Sequence, residues 1–138
     1  MVPFTEMLKA TTNTLTIDGA MLANCVEACF TCAQTCTTCA DACLADMPGE
    51  MGRCIANCTN CADLCMTAGR VLSRPSRGGT NAALIHALLQ ACLESTRICL
   101  AECEGHADDM EVCRLCADSC RNTHQACTEI LKAMDVAA

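Results

Sequence analysis

A chain of 138 residues with a net charge of −7 is long enough to bury one core. It is too acidic for a nucleic-acid surface, which needs basic patches. Two phenylalanines and no tyrosine or tryptophan exclude an aromatic core, and seventeen cysteines have to be accounted for. β-Branched runs and hairpin signals are few, so an all-α chain is predicted.

Residues 1 to 13, with Pro3 suited to a first turn, are predicted to form a short lead helix whose apolar face is Phe4, Met7 and Leu8. Thr16 or Asp18 can cap the first long helix, from about 18 to 45. It contains CVEACFTCAQTCTTCADAC, with Cys25, Cys29, Cys32, Cys36, Cys39 and Cys43 at steps of 4, 3, 4, 3 and 4. That spacing marks one face of a helix. The resulting thiol stripe is roughly 27 Å long, where most proteins would place Leu, Ile and Val.

Pro48, in the turn MPGEMG, disfavours helix at Met47. The second helix, about 50 to 72, repeats the pattern with Cys54, Cys58, Cys61 and Cys65. SRPSRGGT, Ser73 to Thr80, reads as the longest linker. Thr80 or Asn81 caps the third helix, about 81 to 104, which carries Cys92, Cys99 and Cys103 and stops at Gly105. The rung near Ser95 or Thr96 lacks a thiol. Asp108 and Asp109 open the fourth helix, about 108 to 134, with Cys113, Cys116, Cys120 and Cys127. His124 follows Cys120 by four residues. Four such helices joined by turns predict one domain, an antiparallel up-down-up-down four-helix bundle with a short N-terminal helix. All four cysteine stripes point at its axis.

A disulfide framework fits poorly. The cysteine count is odd. Helical neighbours at i and i+4 have Cβ atoms about 5–6 Å apart, against about 3.8 Å in a disulfide. One or two cysteines would pack as small hydrophobes, but six in register with eleven more elsewhere would not. Thiolate is a soft ligand, which selects Cu(I), Zn(II) or iron–sulfur clusters. Structural zinc and iron–sulfur sites usually gather ligands from loops. Cu(I) accepts two thiolates, and the chain offers seven CxxxC pairs: 25/29, 32/36, 39/43, 54/58, 61/65, 99/103 and 116/120. Cys92, Cys113 and Cys127 remain for partners from another helix. Many ions along one axis mean storage rather than catalysis, so the chain reads as a non-enzymatic store of multiple Cu(I) ions. The other readings are a zinc or mixed-metal thiolate buffer and a thiol redox sensor. The last would need one or two exposed, low-pKa thiols, and no cysteine here is set apart for that.

The chain resembles the bacterial copper storage proteins, the cysteine-lined four-helix bundles. The resemblance rests on the CxxxC ladders of the first two long helices, the sparser cysteines of the last two and the lack of aromatics, over roughly residues 18 to 134. It implies a homotetramer. The chain shows no basic-then-apolar leader and no run of 18 apolar residues, so the cytosolic branch and a cytoplasmic location are expected, with no membrane and no nucleic acid as partner.

Further ligands are expected among histidine and methionine. Met47, Met51, His106 and Met110 fall at the near end, which holds the first–second and third–fourth turns. Weaker, exchangeable ligands there suit a mouth that receives copper from a small carrier protein. His86 and His124 are candidates deeper in or at the far end, which Met21, Leu22, Leu72, Leu84, Leu88 and Leu131 are expected to plug.

Overall fold

In a computed structural model of the protein, residues 3–11, 17–47, 49–75 and 82–137 are described. Among them there are helices and turns but no strand: α1 (Phe4–Ala10), α2 (Gly19–Asp46), α3 (Gly52–Leu72), α4 (Ala82–Glu104) and α5 (Glu111–Ala137). The four long helices pack α2 on α3, α3 on α4, α4 on α5 and α5 back on α2, which closes a bundle. The architecture is the all-α four-helix bundle with a short N-terminal helix that the cysteine periodicity predicts.

Local chemistry sets the helix ends. Asp18 caps α2, its carboxylate accepting from the Met21 N–H at 3.3 Å. Gly49, at φ +89°, turns the chain between α2 and α3, in a backbone region that glycine enters without steric cost. α4 ends before Gly105. Residues 105–109 form turns, so α5 begins at Glu111 rather than at Asp108. Thr16, Pro48, Thr80, Asn81 and most of the Ser73–Thr80 linker lie outside the described residues.

α1 is shorter than its sequence suggests. It packs on α2 through buried Leu8 and half-buried Phe4, but Met7 is 52% exposed.

The core follows the cysteine stripes: all seventeen cysteines are fully buried. Apolar side chains close the far end. Leu22, Leu72 and Leu131 are buried there as predicted, while Met21 and Leu88 are half-buried and Leu84 is 60% exposed. Leu89 and Ile130, both fully buried, complete the inner positions that Leu84 does not fill. Phe30 of α2 lies across Gly69 of α3, where an added Cβ would sit 2.7 Å from the ring. α4 is long and apolar enough to cross a membrane by length and composition, which the count of apolar runs does not reveal. In the bundle it turns Leu89, Cys92, Thr96, Cys99 and Cys103 inward.

Candidate metal centre

The sulfurs converge. A helix interior delivers a side chain to the axis every three or four residues, and four helices deliver them at similar heights. Cys32, Cys36, Cys61 and Cys120 form one group whose sulfurs all lie within 4.8 Å of one another. Cys36, Cys99, Cys116 and Cys120 form the next, then Cys39, Cys58, Cys103 and Cys116, then Cys39, Cys43, Cys54 and Cys113. Each of these four groups shares at least one cysteine with the next, so they make one connected array. Cys25, Cys29 and Cys127 form a fifth group that shares none.

The pairing along each helix is not the dominant contact. Cys32 and Cys36 are 3.8 Å apart and Cys54 and Cys58 are 4.0 Å apart. Across helices, Cys36 lies 3.6 Å from Cys116, and Cys58 lies 3.6 Å from Cys99. The CxxxC pairs are therefore edges of larger polygons. The cause is tertiary: helix axes in a bundle approach to about 8–10 Å, and two small side chains pointing inward meet at that distance. Of the three thiols without a helical partner, Cys113 meets Cys43 at 3.7 Å and Cys127 meets Cys25 at 3.9 Å. The Cys92 thiol donates to the Leu64 carbonyl at 3.6 Å.

All seventeen thiols are free, and the sulfur contacts of 3.6–4.0 Å are far from the disulfide bond length of about 2.05 Å. Burial pushes the Cys43 thiol up to about 12, and burial likewise raises Cys113. Both are protonated thiols at neutral pH, and a metal that binds them displaces a proton. A surface groove of about 430 Å³ between α3 and α4 is lined by residues such as Asn57, Leu64, Glu94 and Ile98 and by no cysteine.

The family model for copper storage proteins matches residues 18–132. The chain belongs to that family. Solved structures agree. A Streptomyces lividans Ccsp, a copper storage protein loaded with 10 copper equivalents, is 39% identical, with a TM-score of 0.87 over 94% of this chain and 98% of that one. A cytosolic copper storage protein of the same organism, in a structure of copper loading with five coppers, is 43% identical, with a TM-score of 0.78 over 82% and 93%. A Ccsp variant with two histidines replaced by alanine is 41% identical, with a TM-score of 0.81 over 86% and 99%. No curated protein matches the chain.

In this copper storage bundle the histidines and methionines divide by position. Met51 is 2% exposed and joins the core beside the near-end turn. Met47 and Met110 are half-buried and pack against that core. His106, half-buried, meets Glu102 through Nε2 at 3.3 Å. His86 places Nε2 3.8 Å from Asp135 at the surface of the far end. Among the described residues, none of the three histidines joins a sulfur group. His124 is half-buried, and the inner position of its rung is taken by Thr123, which is fully buried. The helical step from Cys120 allows either residue, and Thr123 turns inward because its hydroxyl reaches the Ala28 carbonyl at 3.0 Å. On α4 the missing rung is Thr96, fully buried, with Ser95 beside it.

Proposed function

We propose that the protein is a cytosolic, non-enzymatic store that takes multiple Cu(I) ions into its thiolate core. The observation that carries this reading is the run of four sulfur groups joined through shared cysteines. Soft thiolates hold Cu(I) with two or three ligands each, and shared sulfurs let many ions occupy one axis. The seventeen cysteines are the ligands. Met47, Met51, His106 and Met110 form a mouth of weaker ligands at the near end.

A storage role is favoured over catalysis because all seventeen thiols are buried and none is set apart at the surface as an activated nucleophile. The cytosolic setting is supported by the Streptomyces lividans relative described as cytosolic. A homotetramer is supported by the apolar residues left on the outside of α4, Leu84 at 60% and Ile98 at 38% exposure. A small thiol carrier protein hands over the copper, and no nucleic acid or membrane takes part.

An anaerobic Cu(I) titration of the reduced protein against a competing chelator tests the reading. Saturation at many ions per chain is expected, and saturation at one or two sinks it. Copper and zinc analysis of the protein isolated from cells tests the choice of metal, with copper expected in excess.

A further inference from the structure

The backbone of His106 belongs to the turn that joins the sulfur ladders of α4 and α5. The His106 N–H donates to the Cys103 carbonyl at 3.1 Å, and the Met110 N–H donates to the His106 carbonyl at 2.9 Å. The Cys113 N–H donates in turn to the Met110 carbonyl at 3.1 Å. One chain of backbone hydrogen bonds thus leads from Cys103 through His106 and Met110 to Cys113. Cys103 and Cys113 belong to the two sulfur groups at the near end of the array. His106 and Met110 are therefore fixed on the segment between the outermost thiols of α4 and α5.

The His106 ring is held separately, by Glu102. Oε1 of Glu102 lies 3.3 Å from Nε2 of His106, and Oε2 lies 4.0 Å from Nε of Arg53 on α3. One carboxylate thus spans the near end from α3 to the α4–α5 turn. The contact is not a pair on one helix face, because α4 ends at Glu104 and His106 lies in the turn beyond it. A carboxylate only accepts, so this contact places the ring proton of neutral His106 on Nε2. The acceptor lone pair is then on Nδ1. At metal sites an outer carboxylate of this kind fixes the tautomer and the orientation of a ligating imidazole.

We propose that Glu102 is a positioning residue for copper uptake, holding the His106 ring through Nε2 so that Nδ1 receives Cu(I) from the carrier. This rests on the reading that the protein stores Cu(I) received at the near end. The step is a ligand exchange. A bond from Nδ1 to copper forms with the imidazole lone pair as a bond from copper to a carrier sulfur breaks, and that sulfur keeps its electron pair. Copper stays Cu(I), and the ring proton stays on Nε2.

The experiment has two arms. In the first, nitrogen-15 NMR of the metal-free, histidine-labelled chain above neutral pH reads the tautomer, with the His106 signals assigned by their loss in His106→Ala. Protonation at Nε2 is expected in the wild type, with a shift toward Nδ1 in Glu102→Ala. In the second, anaerobic stopped-flow loading of the full, reduced chain with chelator-buffered Cu(I) compares the wild type, Glu102→Ala, His106→Ala and the double variant. Glu102→Ala should slow loading by about tenfold, the lower end of what losing such a partner costs at a metal site. Total capacity should stay the same, because no sulfur is lost, and that capacity together with helical circular dichroism reports folding. The double variant should load no more slowly than His106→Ala alone, since Glu102 acts through the ring. A wild-type His106 protonated at Nδ1 overturns the proposal. So does a Glu102→Ala variant that loads at the wild-type rate, or one whose slowing persists in full without His106. A wild type that takes up no Cu(I) defeats the storage reading itself.

Discussion

Cys36 lies closer to Cys116, on another helix, than to Cys32, its neighbour one helical turn away: 3.6 Å against 3.8 Å. It also belongs to two sulfur groups at once. Copper sites built from such sulfurs are coupled, and coupled sites do not respond additively. Cys36→Ser should therefore lower Cu(I) capacity by more than Cys43→Ser, which removes a sulfur of one group at the end of the array. Chelator-competed titration of the two variants makes the comparison. Equal losses would mean that the CxxxC pairs fill independently.

Gly69 and Phe30 give a prediction about the scaffold. The ring already occupies the space a methyl group would need. Gly69→Ala should destabilise the reduced, metal-free protein by about 1–3 kcal/mol, the usual range for overpacking. The helix preference of alanine recovers up to about 1 kcal/mol of that. A fall in melting temperature by circular dichroism is the expected result. The metal-free wild type should itself be strongly helical, because Leu22, Leu89, Ile130 and Leu131 are buried without any metal. A rise in melting temperature for Gly69→Ala would show that the ring moves aside.

Proton linkage sets two pH trends of opposite sense. Cys43 is raised by burial from the ordinary 9.0 to about 12, and Cys113 is raised in the same direction. Below pH 9 these thiols are protonated in folded and unfolded chains alike, and they cost nothing. Between pH 9 and about 12 the unfolded chain releases protons that the folded chain keeps at Cys43, so stability falls as pH rises. Thermal melts of the reduced, metal-free protein should show a lower melting temperature at pH 10 than at pH 8. Copper binding runs the other way. Cys43 and Cys113 must lose their protons when copper captures them, so Cu(I) affinity at their sulfur group should weaken as pH falls. A pH-independent affinity between pH 6 and 8 would contradict protonated thiols at Cys43 and Cys113.

The near end is the expected route for copper. His106 sits half-buried beside Glu102, in the turns between α4 and α5. The far end is closed by Leu22, Leu72 and Leu131, and an apolar path is costly for a charged ion. His106→Ala should slow Cu(I) loading and removal with little change in capacity. His86→Ala, at the other end beside Asp135, should leave the rate unchanged. Transfer kinetics to a chelator compare them, and a slow His86 variant would place the mouth at the far end.

Periodicity alone determined that the chain is all-α, that each long helix carries one thiol stripe and that the stripes meet in a bundle. A repeat of 4 and 3 is a property of one helix, and one helix is all that local sequence describes. The rungs without sulfur were legible too: Thr96 falls where the α4 ladder skips a step. What the sequence left undecided is which sulfurs group together. Contacts such as Cys36 with Cys116 and Cys58 with Cys99 depend on the relative heights of helices separated by turns, and a shift of one helix along its axis would exchange the partners. The choice of Thr123 over His124 as the inner residue was also tertiary, since the carbonyl that receives its hydroxyl belongs to α2, 95 residues away in the chain. The break between Cys127 and the main array follows from that same packing.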